Sequence, residues 1–188
     1  MNKKTGKTKN TKKSAIAKKG IALKIIIPIL IVFVLTGLWI IKNNGNNSNP
    51  ENEKNPDFAL LVTQKLDIVK LKSYGVPIVI DFGSDSCIPC QLMAPVLEEL
   101  NSEYKGRAIV RFVDVWKYPS FADGYPISTI PTQIFIDAEG NPYKPKDSES
   151  IEMKFYSSED TKKHIFTAHL GGLEKEQLLS ILKEMGLK

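Results

Sequence analysis

One junction limits the folds open to this chain more than any other feature. In VPIVIDFGSDSCIPCQLMAPVLEEL, Val76 to Leu100, a run of branched residues passes within a few positions into an amphipathic stretch. The run Val76 to Phe82 has the character of a short strand buried on both faces. From Cys90 to Tyr104 the pattern is helical, with Leu92, Met93, Val96, Leu97 and Leu100 expected inward. Pro95 is expected to kink that helix by removing a backbone donor. A strand covered on both faces belongs to a layered α/β architecture. Both cysteines of the chain, Cys87 and Cys90, lie at the junction.

The alternation continues on either side. From Asp57 to Gly75, Phe58, Leu61, Val62, Leu66 and Val69 recur near helical spacing, with Asp57 as the expected N-cap and Gly75 as the stop. AIVRFVDV, Ala108 to Val115, reads as a second central strand. PTQIFID, Pro131 to Asp137, reads as a third, with a hairpin turn at AEGNP. Ile151 to Tyr156 and His164 to Leu170 form an expected hairpin around SSEDTKK. Leu173 to Met185 reads as a closing helix whose apolar residues are Leu178, Leu179, Ile181 and Leu182. This order predicts an α/β fold, a mixed sheet flanked by helices, with a parallel part and an antiparallel extension.

Ahead of the domain the composition changes twice. Residues 1–24 hold nine lysines and no acid, so the net charge of +5 belongs to this tail; the remainder carries 17 Lys and Arg against 21 Asp and Glu. The tail lacks interleaved aromatics and a groove-sized element, so no nucleic-acid partner is expected. Ile25 to Ile41 is seventeen residues without a charge. Adding Ile21 to Lys24, whose ammonium can snorkel, reaches the ~20 residues that cross a bilayer. Trp39 suits the far headgroup region, and the lysine bias places the N-terminus in the cytoplasm and the domain outside it. A cleaved signal peptide has a shorter apolar region and a small-x-small site, which LWIIKNN does not offer. We therefore expect an uncleaved signal anchor, a single transmembrane helix over 25–41. Residues 42–56, Asn-rich and without apolar side chains, are expected to be a flexible tether to a domain at 57–188.

Three chemistries use two cysteines at this spacing. A closed zinc site needs four ligands, and the other soft candidates, His164 and His169, lie five apart in a predicted strand, hence on opposite faces. Neither a metal nor another cofactor is expected. A structural disulfide between positions three apart closes a small loop and removes little denatured-state entropy. Redox exchange fits the placement better. A cysteine where a strand ends and a helix begins meets unpaired N–H groups and the positive end of the helix dipole, which stabilise a thiolate. Cys87 is expected to be poised and exposed, and Cys90, one turn in, shielded and placed to resolve a mixed disulfide. Asp81, on the mostly apolar strand before them, is expected to be buried with a raised pKa and to relay a proton for Cys90; a capping or loop aspartate is the other reading.

The block Val79 to Leu100, with Asp81, Cys87, Pro89, Cys90 and Pro95 in register, resembles the strand, active site and kinked helix of the thioredoxin family. YPISTIPTQIFIDAEG, Tyr125 to Gly140, is similar to the family's second hallmark, and HLGGLEKEQLLSIL, His169 to Leu182, to its closing Gly and final helix. The resemblance covers roughly 57–188. It implies a thioredoxin-like fold, a redox disulfide between Cys87 and Cys90, a cis peptide bond between Ile130 and Pro131, and a substrate strand received by the backbone at Ile130 and Pro131. Taken with the expected anchor, it leads us to expect a bacterial, membrane-anchored thiol–disulfide oxidoreductase that reduces exported protein disulfides. By analogy with related systems, a transmembrane electron-relay protein of the cytochrome-c-biogenesis type would recharge it. An oxidase that donates its disulfide, or a non-catalytic binding module, are the alternatives.

Four departures stand out from the family pattern. Ser86 stands where a tryptophan is usual, and Gly83 where a second aromatic is usual. The intervening pair is Ile88–Pro89. The region 141–167 is longer than a minimal member needs, and reads equally as a partner-contact surface or as neutral elaboration.

Overall fold

The structure is a computed structural model that describes residues 55–146 and 151–188, together with Ile27, Pro28, Leu30 and Thr36. The chain divides into two compact units, residues 1–46 and 47–188. In the first unit the four described residues are helical and exposed. The expected basic tail, the rest of the expected anchor and residues 42–54 of the expected tether lie outside the described residues. No helix among the described residues is long and apolar enough to cross a membrane.

The second unit is built on five strands: β1 (Ile78–Gly83), β2 (Ile109–Asp114), β3 (Thr132–Ile136), β4 (Lys154–Ser157) and β5 (His164–Leu170). They form one sheet in the order β2-β1-β3-β5-β4. β1 and β2 run parallel, and the pairs β1/β3, β3/β5 and β4/β5 are antiparallel. The central strands β1 and β3 are buried along their whole length, as their apolar runs require, while edge strand β4 is mostly exposed. Successive side chains of β1 point to opposite faces. Val79 joins a cluster with Met93, Leu97, Phe135, Leu178 and Leu182, and Ile78, Ile80 and Phe82 join a second with Phe58, Ile109 and Ile134. Asp81 follows the parity of Val79, towards the cluster that holds Met93.

Among the described residues of the unit three α-helices pack on this sheet's elements: α1 (Ile68–Lys72), α2 (Ile88–Glu103) and α3 (Lys175–Glu184). α2 runs on through Pro95 and ends at Tyr104. α3 opens with a capping box, in which Glu174 N donates 2.9 Å to Gln177 Oε1, and buries Leu178, Ile181 and Leu182.

The expected helix over Asp57 to Gly75 is a correction. Only a 3₁₀ turn at Pro56–Phe58, capped by Asn55, and the five residues of α1, capped by Asp67, are helical. Between them the chain is extended and bonds to the edge strand: Phe112 N donates to Leu60 O at 2.7 Å and Val62 N to Phe112 O at 2.9 Å. Phe58 and Val62 are buried four apart while Leu61 is exposed, a spacing that serves an extended chain as well as a helix. Two side chains fix the choice. The buried Asn101 amide donates to Phe58 O and to Val110 O, each at 2.9 Å, and the Arg111 guanidinium donates to Asp57 O at 2.7 Å and Pro56 O at 3.2 Å. Tertiary bonds thus override local propensity. Gly75, with φ +65, does end the α1 turn. Asn55 and Pro56, read from sequence as tether, belong to this docked segment.

Leu92 is a second correction: it lies 77% exposed, with Met93, Leu97 and Leu100 inward and Val96 half-buried. The stripe of apolar residues is wider than the face the sheet can cover. The AEGNP turn forms, with Asp137 N donating to Asn141 O at 2.9 Å, but beyond it only Ile136 and Pro142 pair. In the expected 141–167 insertion, β4 and β5 form the hairpin, and residues 147–150 lie outside the described ones.

Candidate active site

Cys87 occupies the N-cap of α2 with extended backbone (φ −93, ψ 118), and Pro89 lies in the first turn, where its missing N–H costs nothing. Cys87 N donates to Ser84 O at 3.1 Å, and Gln91 Nε2 to Asp85 O at 2.6 Å, so the loop is tied to the helix it opens into. Cys87 and Cys90 are joined in a disulfide with their Cα atoms 5.2 Å apart. Cys90 N points at Cys87 Sγ at 3.4 Å. After reduction, the same N–H and the helix dipole would favour a thiolate on Cys87.

The expectation of an exposed Cys87 needs correction for this disulfide form. Cys87 is only 8% exposed against 3% for Cys90. The sulfur is overhung by the Ile130 carbonyl, whose oxygen lies 4.0 Å from Cys87 Sγ. Ile88 and Leu92 beside it are exposed, so the apolar surface is on the helix rather than on the sulfur.

The peptide bond between Ile130 and Pro131 is cis, as the resemblance implies. Thr132 Oγ1 donates to Thr129 O at 2.7 Å across the turn, and Gly171 N to Pro131 O at 2.9 Å. The Pro131 carbonyl is thereby bonded within the protein, while half-buried Ile130 presents its carbonyl to the cysteines.

Asp81 is the one Asp or Glu that is buried among the described residues, at 1% exposure. Its Oδ1 accepts from Gln133 Nε2 at 2.7 Å, and its Oδ2 has no partner. Burial pushes its pKa up to about 7, against the pull of the Gln133 N–H, which favours the ionised form. A carboxyl of that acidity both takes and gives a proton near neutral pH. Gly83 makes its proximity to the cysteines possible. A β-carbon there would stand 2.8 Å from the Phe112 ring, 3.2 Å from Cys90 Sγ and 3.3 Å from Asp81 Oδ2. The position that lacks the usual aromatic is one where three neighbours close in on the backbone.

Sequence reasoning brought Asp81, Cys87, Cys90, Ile130 and Pro131 forward, and the structure gathers them within one site. It missed Gln133, whose signal was visible as a lone amide in the apolar run of β3. His164 and His169 bond to nearby backbone carbonyls: His164 Nε2 lies 2.9 Å from Phe166 O, and His169 Nδ1 2.9 Å from Glu152 O, ahead of β4. Among the described residues no group of three or more His, Cys, Asp or Glu is placed to hold a metal ion.

The site can be set beside known proteins. The family model for thioredoxin matches residues 62–159. Thioredoxin of Staphylococcus aureus is 38% identical over 85 residues, which is 45% of this chain and 80% of that one. Chloroplastic thioredoxin M-type of Spinacia oleracea is 42% identical over 61 residues, 32% of this chain and 34% of that one. The bifunctional thioredoxin reductase/thioredoxin of Mycobacterium leprae is 34% identical over 91 residues, 48% of this chain and 20% of that protein. The chain thus spans about a third and a fifth of the last two. Among solved structures, chloroplastic thioredoxin z aligns over 68% of this chain and 93% of its own, at 24% identity and a TM-score of 0.46. The family model covers more than half of the chain, including both cysteines, Asp81 and the cis proline, and the chain belongs to the thioredoxin family.

Proposed function

We propose that this protein is a thiol–disulfide oxidoreductase, anchored in the membrane by residues 25–41, that reduces disulfides of exported proteins outside the cytoplasm. The observation that carries the reading is the Cys87–Cys90 disulfide at the start of α2, with a buried carboxyl behind it and the Ile130 carbonyl in front. In the reducing direction, the Cys87 thiolate attacks a substrate disulfide and releases one substrate thiolate. Cys90 loses its proton to Asp81 and attacks Cys87 Sγ, which frees the second substrate sulfur and leaves the Cys87–Cys90 disulfide. An extended substrate strand lies along the backbone at Ile130 and Pro131. No cofactor enters the cycle.

The direction rests on the neighbours of Cys87. Ile88 is exposed and apolar, and brings neither positive charge nor a side-chain donor to the thiolate. A moderately acidic Cys87 suits a reductant, whereas strong oxidants over-stabilise the reduced form. The lysine-rich segment before residue 25 supports a domain outside the membrane, and a reductant there needs electrons from within. A transmembrane electron-relay protein of the cytochrome-c-biogenesis type would fill that role.

The redox potential tests the direction. The full chain is equilibrated with a glutathione or dithiothreitol series and its thiols are trapped. Thioredoxin lies near about −270 mV and a strong oxidase near about −120 mV. A value below about −170 mV supports the reductant, and a higher one replaces it with an oxidase that donates its disulfide. If Cys87→Ser and Cys90→Ser leave the cellular phenotype intact, the protein is a binding module instead.

A further inference from the structure

The two oxygens of Asp81 have different surroundings. Gln133 lies directly across from Asp81 in the β1/β3 register and is fully buried. Its Nε2 donates to Asp81 Oδ1 at 2.7 Å and to Gly171 O at 3.0 Å. A backbone carbonyl only accepts, so Gly171 decides which end of the amide points there. Turning the amide over would set Oε1 against the Gly171 oxygen. With both N–H groups engaged, Gln133 offers Asp81 a donor and no acceptor. An oxygen already receiving an N–H is the poorer place for a proton, and the other oxygen, Oδ2, lies in the space beside Gly83 that Cys90 Sγ also borders.

We propose that Gln133 is a positioning residue for the proton relay: by holding Oδ1, it confines the proton of Asp81 to Oδ2, the oxygen on the Cys90 side. The inference deepens the dithiol reading and rests on it. Among the described residues no charged group opposes this assignment. Asp81 lies opposite Phe112 of β2 and Gln133 of β3, its Oδ2 shares the space beside Gly83 with Cys90 Sγ, and the Gln133 amide that holds it also meets Met93 Sδ and the Gly171 carbonyl. None carries a charge, so Gln133 is the polar side chain that adjusts this carboxyl. In the resolving step the Cys90 S–H bond breaks, its proton goes to Oδ2, and the Cys90 sulfur bonds to Cys87 Sγ. The electron pair of the Cys87–substrate bond leaves on the substrate sulfur.

The resolving step can be isolated by loading Cys87 of the reduced full chain with thionitrobenzoate. Release of the coloured thiolate by Cys90 is then followed across pH. Gln133→Leu, or Gln133→Met if the leucine variant does not fold, is expected to move the midpoint of the release profile upward by about one pH unit or more, as loss of a hydrogen bond to a charged group implies. At a fixed pH below the midpoint, release slows roughly tenfold. In an Asp81→Asn background the same change at Gln133 is expected to have no further effect on the profile. An unmoved midpoint in a folded variant, or an equal effect without Asp81, overturns the proposal. Infrared spectra of the wild type with labelled aspartate give an independent reading below the midpoint. A protonated carboxyl with a hydrogen-bonded C=O stretch is expected, and a free C=O band overturns it. Absence of thionitrobenzoate release from the wild type would sink the dithiol reading instead, leaving the infrared band to decide the role of Gln133.

Discussion

Asparagine at position 81 would keep the hydrogen bond from Gln133 and remove the titration. In the folded protein Asp81 holds its proton up to about 7, because of burial, whereas the ordinary value is 3.8. Over those roughly three pH units the folded state binds a proton that the unfolded chain has released, so wild-type stability falls as pH rises. At about 1.4 kcal/mol per unit the loss accumulates to roughly 4 kcal/mol and levels off once pH exceeds the folded value. Asp81→Asn escapes this loss. Its Nδ2 replaces the oxygen that lacks a partner, which sets a constant offset of about 1–3 kcal/mol if no acceptor is found. The offset does not vary with pH; the difference between the two proteins does. Urea unfolding of the oxidised full chain at intervals between about pH 4 and pH 8 reads it directly, because all other titrations are shared. The variant is expected to gain on the wild type by roughly 4 kcal/mol over that interval, with the steepest change between about pH 4 and pH 7. A difference that stays flat within about 1 kcal/mol would show that Asp81 titrates in the folded chain as it does in the unfolded one, and would refute the reasoning.

Other measurements reach other parts of the site. Cys87 should be alkylated first in the reduced protein near neutral pH, since it sits at the start of α2 while Cys90 lies inside it; equal rates at both thiols would count against the assigned roles. Gly83→Ala should destabilise by about 1–3 kcal/mol in urea, because the added carbon meets the Phe112 ring at 2.8 Å and two further atoms close by. An unchanged midpoint would mean that this packing yields freely. Protease added to intact cells or spheroplasts should remove the domain; cleavage only after lysis would reverse the proposed topology.

Legibility from sequence followed the range of the interactions. β1, the start of α2 and the cysteines were readable because strand, turn and helix signals lie within about twenty-five residues. Gly75 likewise acts locally. The stretch Asp57 to Leu66 was misread because its conformation is set by Asn101 and Arg111, some fifty residues away. The role of Gln133 was hidden for the same reason, although its amide stood out in the apolar run of β3. Its partner Asp81 is 52 residues off, and only the β1/β3 register brings them opposite. Leu92 satisfied the helical pattern, yet the number of apolar positions on a helix does not say how wide a face the sheet covers.

The docking of the segment before α1 decides where this domain can be cut. The thioredoxin match begins at residue 62, but Asn101 and Arg111 take their acceptors from Pro56, Asp57 and Phe58. A fragment trimmed to the matched boundary would strip the roof from two polar side chains sunk in the fold and lay bare the pocket vacated by Phe58. Each orphaned donor costs about 1–3 kcal/mol, and a lost phenylalanine anchor about 3–5 kcal/mol. Together these rival the entire stability of an ordinary domain. The latest safe scissor point therefore lies just ahead of Asn55, and an expression clone begun at the alignment edge should yield insoluble protein for reasons that have nothing to do with its cysteines.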